Sequence, residues 1–274
     1  MPELPEVETI VRDLRPLVVG RRISQVTHLN PQVLRHPGPQ EFRAAVSGQV
    51  VKGVARRGKF IHLELGSGEL LVVHLGMSGT LILHSAEAPV GVHTHLRLLL
   101  GLDLELRYRD PRRFGRVVLG QEQQLISSGA LPRLGAEPMV PAFPPPWVVE
   151  ALRTSHRAVK AVLLDQGVIA GCGNIYADEA CFMARVRPGR RSFRLTSVER
   201  GRLLRALPIV MREAIRHRGT SFSDYRDGFG ARGGAFESLF VYGRSGYACV
   251  RCGSTLRQAQ VAGRTTVYCM RCQR

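Results

Sequence analysis

Four cysteines stand as Cys249-x2-Cys252-x16-Cys269-x2-Cys272. Two Cys-x2-Cys knuckles at this spacing place four thiolates tetrahedrally, the way Zn2+ is held in closed structural sites. Four protein ligands leave no open position, so such a zinc holds structure and activates no water. Cys172 and Cys181 lie outside the spacing and are expected as small buried apolar side chains. At the other end, Met1 precedes Pro2, a small residue that permits removal of the initiator methionine. The nitrogen exposed by that removal is a secondary α-amine. An α-amine ordinarily titrates near ~8, so only a modest shift makes it neutral and nucleophilic. A helix beginning just behind it favours the neutral form further. Glu3 and Glu6 supply carboxylates nearby. The same residues also fit a plain helix cap with no chemistry, and on composition alone that is the simpler reading.

The charge balance names a class of partner. Lys and Arg total 39 against 22 Asp and Glu, a net charge of +17. Only Lys52, Lys59 and Lys160 are lysines, so nearly all of this charge is Arg. Guanidinium forks suit bidentate contacts to phosphates and base edges, which points to nucleic acid. Hydrophobic residues make up 44% and charged residues 22%, values of a globular chain rather than a disordered one. No apolar run is long enough to span a membrane. The start Met-Pro-Glu-Leu-Pro-Glu lacks the basic and apolar regions of a signal peptide, so a cytosolic location is expected.

The elements that must hold these groups are legible in outline. Val7, Ile10, Val11 and Leu14 form one helical face, with Pro5 early and Glu6 and Glu8 suiting the positive end. From about Arg22 to Leu119 the pattern is short strands. Gly66-Ser67-Gly68 predicts a hairpin. Leu102, Leu104, Leu106 and Tyr108 alternate with Asp103, Glu105, Arg107 and Arg109, which predicts a half-buried strand with a charged, solvated face. Five prolines between Glu137 and Trp147 read as a linker. Helical stripes follow, with Val148, Leu152, Val159, Val162 and Leu163 on one of them. Asn174 is expected as an N-cap ahead of Asp178 and Glu179. Ser197 is expected to cap a helix running toward His217, with Gly219 ending it and Pro208 kinking or breaking it. Thr220–Phe236, rich in Gly and aromatic residues, is expected as a mobile loop.

Short runs spread along the chain carry a resemblance. Met1-Pro-Glu-Leu-Pro-Glu-Val-Glu-Thr9, Arg57-Gly-Lys59, His74-Leu-Gly-Met-Ser-Gly79, Asp110-Pro-Arg-Arg-Phe-Gly115, Gly173-Asn-Ile-Tyr-Ala177, Val241-Tyr-Gly-Arg244 and the Cys ribbon resemble, in order, the formamidopyrimidine-DNA glycosylases. These are bacterial base-excision repair enzymes, and the matches span almost the whole chain. The resemblance implies that Pro2 attacks C1′ of the damaged nucleotide and expels the base. Glu3 then assists ring opening and proton transfer, Lys59 donates a proton in β-elimination, and Arg264 contacts the phosphate in δ-elimination. It implies that Met77, Arg112 and Phe114 fill the void left by the extruded base. Without the family pattern, Met77 and Phe114 read as core, although Gly76, Gly79 and Gly115 favour exposed turns. His93, Arg112, Lys160 and Asn174 match DNA contacts. His156 stands near a position where many relatives have Lys, with Arg157 beside it.

The fold implied is α+β with two domains. An N-terminal β-sandwich with a leading helix spans 1–135, and a Pro-rich linker spans 136–147. A helix–two-turn–helix domain with a lesion-capping loop spans 148–236, and a zinc ribbon spans 237–274. Damaged double-stranded DNA is expected in a basic cleft between the domains. One structural Zn2+ is the expected metal, and the expected protein is a cytoplasmic, nucleoid-associated monomer. Leu4 after Glu3, together with the 220–236 loop, favours release of 8-oxoguanine and formamidopyrimidines. The rival readings are an endonuclease-VIII-like glycosylase for oxidised pyrimidines and a non-catalytic zinc-ribbon nucleic-acid binder.

Overall fold

The computed structural model describes residues 1–274. The chain divides into two compact units, Met1–Arg133 with His217–Gly234, and Leu134–Arg216 with Ala235–Arg274. This redraws the expected segmentation. The 217–234 segment packs with the N-terminal unit, and the Pro-rich stretch belongs to the second unit. There Ala136 bridges Ile169, and Pro146 already starts a helix.

The first unit begins with α1 (Leu4–Val18), followed by β1 (Ile23–Leu29), β2 (Leu34–His36), α2 (Pro39–Val46), β3 (Val51–Arg57), β4 (Phe60–Leu65) and β5 (Leu70–His74). Then come β6 (Thr80–Ser85), β7 (Thr94–Leu100), β8 (Leu104–Arg109), β9 (Arg116–Gly120) and α3 (Glu122–Ser127). The strands form a four-stranded sheet ordered β1-β7-β8-β6 and a five-stranded sheet ordered β2-β9-β5-β4-β3. The predicted hairpin is β4–β5, paired from Phe60↔His74 to Glu64↔Leu70. Val7, Ile10, Val11 and Leu14 of α1 share one core with residues of both sheets, among them Ile61, Val73, Leu98 and Leu106. Each such side chain contributes roughly 1.5–3 kcal/mol when fully buried.

The β8 expectation needs correcting. Leu102 is exposed, whereas Glu105 and Arg107 are buried. The Glu105 carboxylate accepts from Arg97 Nε at 2.9 Å, Arg107 Nε at 2.6 Å and Thr27 Oγ1 at 2.7 Å. Burial alone would raise its pKa, but these donors together hold it below the usual value. The middle of the charged face, Glu105 and Arg107, is therefore internally paired, while Asp103 and Arg109 at its ends are exposed as expected.

The second unit contains α4 (Pro146–Thr154), α5 (Val159–Leu164), α6 (Asn174–Met183), α7 (Ser197–Arg216) and the hairpin β10 (Arg257–Val261) with β11 (Arg264–Tyr268). Two helix starts differ by one residue from expectation. Gly173 caps α6, so Asn174 is its first helical residue. Thr196 caps α7: Glu199 N donates to Thr196 Oγ1 at 3.2 Å, and Thr196 N donates to Glu199 Oε2 at 2.8 Å. Pro208 does not break α7, which runs unbroken to Arg216. A proline inside a helix costs about 3 kcal/mol. Leu203, Leu204, Leu207 and Met211, all buried on one stripe, outweigh that cost. No helix is long and apolar enough to cross a membrane.

Candidate functional site

The first unit gathers most of the implied catalytic residues. Pro2 and Glu3 are buried immediately ahead of α1, and Glu3 is its N-cap. Glu3 N donates to Glu6 Oε2 at 2.8 Å, closing the first turn of the helix. Arg56 then ties α1 to the β3–β4 turn. Its Nε donates to Glu8 Oε2 at 3.0 Å and its Nη1 to Gly58 O at 3.1 Å. Gly58, with φ +56°, is the residue before Lys59, so this ion pair fixes where the lysine emerges. Lys59 itself is largely buried. Its neighbour His74 pairs opposite Phe60, and the rings lie 4.8 Å apart. Burial, with Arg116 and Lys59 nearby, pushes the His74 pKa down to about 4. The imidazole stays neutral, and Gly76 N donates to its Nδ1 at 3.3 Å.

Asp110 organises the turns that carry Met77, Arg112 and Phe114, the residues implied to fill the void. Its buried carboxylate accepts from Ser78 Oγ at 2.7 Å, Gly115 N at 2.8 Å, Tyr108 OH at 3.1 Å and Arg112 N at 3.2 Å. Burial opposes its charge, but the four donors prevail and hold the carboxyl below its usual pKa. Ser78 follows Met77, and Arg112 and Gly115 flank Phe114, so one carboxylate joins both turns. Their approach is close: a Cβ on Gly76 would lie 2.4 Å from Gly115 N. What the turns present outward is Met77, 41% exposed, Phe114, 57% exposed, and Arg112, whose guanidinium lies 4.6 Å from the Phe114 ring centre. These are apolar and cationic groups held out of the core, as the glycine neighbours implied. His93 is exposed with φ +65°, and its carbonyl accepts from Asp110 N.

We expect Asp110→Asn to place an amide against donors that need an acceptor, at a cost of about 1–3 kcal/mol. Thermal melting should show the loss, and preference for damaged over undamaged duplex should fall with it. An unchanged Tm with unchanged preference would remove Asp110 from this role.

The second unit holds a separate cluster. Its hairpin turns at Ala262 and Gly263, both with positive φ, so Arg264 is exposed at the tip. Asn174 Nδ2 donates to Thr265 O at 3.0 Å, which fixes the tip against the start of α6. That first turn carries no acidic residue, so its N–H groups and positive dipole end suit an anion. His156 is exposed between α4 and α5, with its ring centre 4.6 Å from that of Phe193.

Lys160 is placed differently from the phosphate contact expected of it. It is 0% exposed, and its ammonium meets Asp178 Oδ1 at 2.6 Å, Thr266 Oγ1 at 2.7 Å and Thr265 O at 3.1 Å. All three protons are used, leaving none for a phosphate. Lys160 instead braces the carbonyl that Asn174 also holds. Asp178 and Glu179 are likewise internal braces, both buried. Burial pushes Asp178 up to about 7, against the pull of Lys160 and the Val267 N–H. Glu179 accepts from the N–H groups of Phe240, Val241 and Tyr242 at 2.8–2.9 Å.

The four ribbon cysteines converge. Their sulfurs all lie within 4.8 Å of one another, with Cys252–Cys269 at 3.5 Å and Cys249–Cys272 at 4.0 Å. Zn–S bonds of about 2.3 Å require tetrahedral S···S edges of about 3.8 Å, so the set fits one zinc. Arg251 N donates to Cys249 Sγ at 3.5 Å and Cys272 N to Cys269 Sγ at 3.4 Å, as knuckle amides do. Cys172 and Cys181 are buried apart from this set.

Comparison with known proteins covers the whole chain. Residues 1–117 match the formamidopyrimidine-DNA glycosylase N-terminal domain, and residues 134–226 match the H2TH domain of the same enzymes. Residues 248–274 match a zinc finger found in FPG and IleRS. The formamidopyrimidine-DNA glycosylase of Geobacillus kaustophilus is 44% identical over 275 aligned positions, covering 100% of both chains. The chain belongs to the formamidopyrimidine-DNA glycosylase family. The enzyme of Symbiobacterium thermophilum is 45% identical, with 100% of this chain and 89% of that one covered. Among solved structures, the Lactococcus lactis Fpg in complex with an abasic site containing DNA superposes with a TM-score of 0.91 at 33% identity, covering 99% of each chain. The MutM (FPG) protein of Thermus thermophilus superposes at 0.88 with 43% identity, covering 99% of this chain and 98% of that one. As a formamidopyrimidine-DNA glycosylase, the chain is a base-excision repair enzyme with one structural zinc.

Sequence reasoning missed the residues that hold the candidate site in place. Asp110 opens the run Asp110-Pro-Arg-Arg-Phe-Gly115, where Asp before Pro signals only a turn. Nothing in the sequence pairs Arg56 with Glu8, or Lys160 with Asp178 and Thr266.

Proposed function

We propose that this glycosylase releases oxidised purines, 8-oxoguanine and formamidopyrimidines, from duplex DNA and then cleaves the strand by β,δ-elimination. The single observation that carries the reading is Pro2-Glu3 at the head of α1 in a chain homologous to such enzymes from end to end. With Met1 removed, the Pro2 nitrogen attacks C1′ and the base departs, leaving an iminium joined to the opened sugar. Glu3 passes protons to the sugar oxygen during opening. Lys59, delivered by the turn that Arg56 braces, donates a proton during β-elimination. Met77, Arg112 and Phe114 occupy the gap in the stack, the cation facing the orphaned base and the aromatic ring wedging a base step. Arg264, Asn174, His93 and His156 hold phosphates, with Arg264 also serving δ-elimination. The enzyme works as a monomer on chromosomal DNA in the bacterial cytoplasm.

The test compares single-turnover base release from 8-oxoguanine·C and thymine-glycol duplexes. We expect a preference of at least ~10-fold for 8-oxoguanine, since a site that hydrogen-bonds one base edge leaves buried groups unpaired with another. The reverse order would reassign the chain to oxidised pyrimidines. Binding with no release of either base would leave a DNA-binding protein without this chemistry.

A further inference from the structure

The 217–234 segment is pinned to its own unit by charges that the chemistry above does not use. Arg218 Nη2 lies 2.6 Å from Asp13 Oδ2 on α1 and 2.6 Å from Asp227 Oδ2, and its Nε donates to Asp227 Oδ2 at 2.9 Å. Both carboxylates are buried, at 7% and 1% exposed. Both carboxylates also accept from the segment's backbone. Asp13 Oδ2 accepts from Gly228 N at 3.1 Å, and Asp227 Oδ1 accepts from Phe229 N at 3.0 Å and Ala231 N at 2.8 Å. Gly228 passes so near α1 that a Cβ there would lie 2.7 Å from Asp13 Cβ. The segment expected as a mobile loop thus carries a charge cluster shared with α1. Removing the guanidinium leaves two neighbouring buried carboxylates with no counter-charge, and these repel.

A second contact links this position to the head of α1. Glu6 accepts from Thr220 N through Oε1 at 2.8 Å, while its Oε2 accepts from Glu3 N. One carboxylate thus joins the segment's start to the residue beside Pro2. The pinned segment leaves Phe222 and Phe229 well exposed, and the Arg218 guanidinium sits 5.8 Å from the Phe229 ring centre.

We propose that Asp13, Arg218 and Asp227 form the anchor that sets the closed position of this segment and thereby selects damaged bases over abasic sugars. The inference rests on the glycosylase reading. A segment closed over an extruded base aids expulsion of that base and has nothing to grip at an abasic sugar. Arg218 is thus a positioning residue for base release alone.

The test uses the full-length zinc-loaded protein as wild type, Arg218→Gln and Arg218→Lys. Two single-turnover rates are measured: base release from 8-oxoguanine·C duplex, and cleavage of a pre-formed abasic site. Limited trypsinolysis after Arg226 and Arg232 reports the anchor directly. Arg218→Gln should slow base release about 10-fold, leave abasic cleavage within about 2-fold and speed both tryptic cuts. Arg218→Lys should recover part of each loss, since an ammonium keeps the charge but not the fork. Equal loss of both rates, or unchanged rates, or unchanged proteolysis in Arg218→Gln would overturn the anchor. A wild type that releases no 8-oxoguanine would overturn the glycosylase reading and the selectivity with it. In that case the tryptic pattern would still decide whether the segment is pinned.

Discussion

Borohydride added during turnover is expected to leave Pro2, and no other residue, covalently joined to lesion-containing DNA. The imine step needs a nitrogen with an available lone pair. In the full sequence the Pro2 nitrogen is an amide to Met1, so it has none to offer. Met1 is 52% exposed, whereas Pro2 is buried at the head of α1. Active protein purified from cells should therefore have a mass lacking Met1. Once Met1 is gone, the freed amine lies at the positive end of α1, where a second positive charge is disfavoured. Base release should rise with pH as the amine loses its proton. Pro2→Gly keeps a primary amine, which also forms an imine, and should retain part of the activity. Glu3→Gln keeps the shape of the cap but cannot transfer protons. It should bind damaged duplex while losing roughly 100- to 10,000-fold in base release. The deciding observation is the trapped peptide. An adduct on Lys59 with Pro2 unmodified would remove Pro2 as the nucleophile.

The parts that were legible in the sequence are those whose physics is local. The zinc spacing is local because two knuckles must each bring two sulfurs to one ion. The face of α1 is local because burial repeats with the helical period. The hairpin at Gly66-Ser67-Gly68 and the exposure of Met77 and Phe114 follow from glycine turns. What was illegible depends on partners far along the chain. Glu105 and Arg107 look like a solvated edge because their pairing with Arg97 and Thr27 exists only once β1, β7 and β8 are side by side. Lys160 looks like a free cation because Thr266 and Asp178 meet it only through the ribbon and α6. Arg218 and Asp13 are 205 residues apart in sequence. The helix starts missed by one residue, at Gly173 and Thr196, reflect two adjacent capping candidates each, which composition does not separate.

Loss of zinc should act on folding and DNA affinity and leave the chemistry of the N-terminal unit without a missing electrophile. Four thiolates fill the coordination sphere, so no water or carbonyl reaches the ion. The metal's work is to hold the ribbon. The core beneath it is small, consisting of Phe182, Val241, Cys249, Leu256, Val267 and Cys269, and two of those six residues are ligands. A segment this short does not bury enough apolar surface to fold alone. Structural zinc supplies about 10–16 kcal/mol in comparable small modules. What the ribbon positions is Arg264, at a hairpin tip fixed by Asn174 and Lys160 through Thr265 O. Cys249→Ser should therefore lose about one zinc per chain. The same change frees the tip and should cost much of the affinity for damaged duplex. The folded N-terminal unit should still present Pro2, so borohydride trapping should survive at DNA concentrations high enough to restore binding. Metal content, duplex affinity and trapping yield measured on one preparation separate the outcomes. Normal binding and cleavage by metal-free protein would show that the ribbon does not position Arg264. Loss of trapping at saturating DNA would instead give the zinc a part in the chemistry that its closed ligand set forbids.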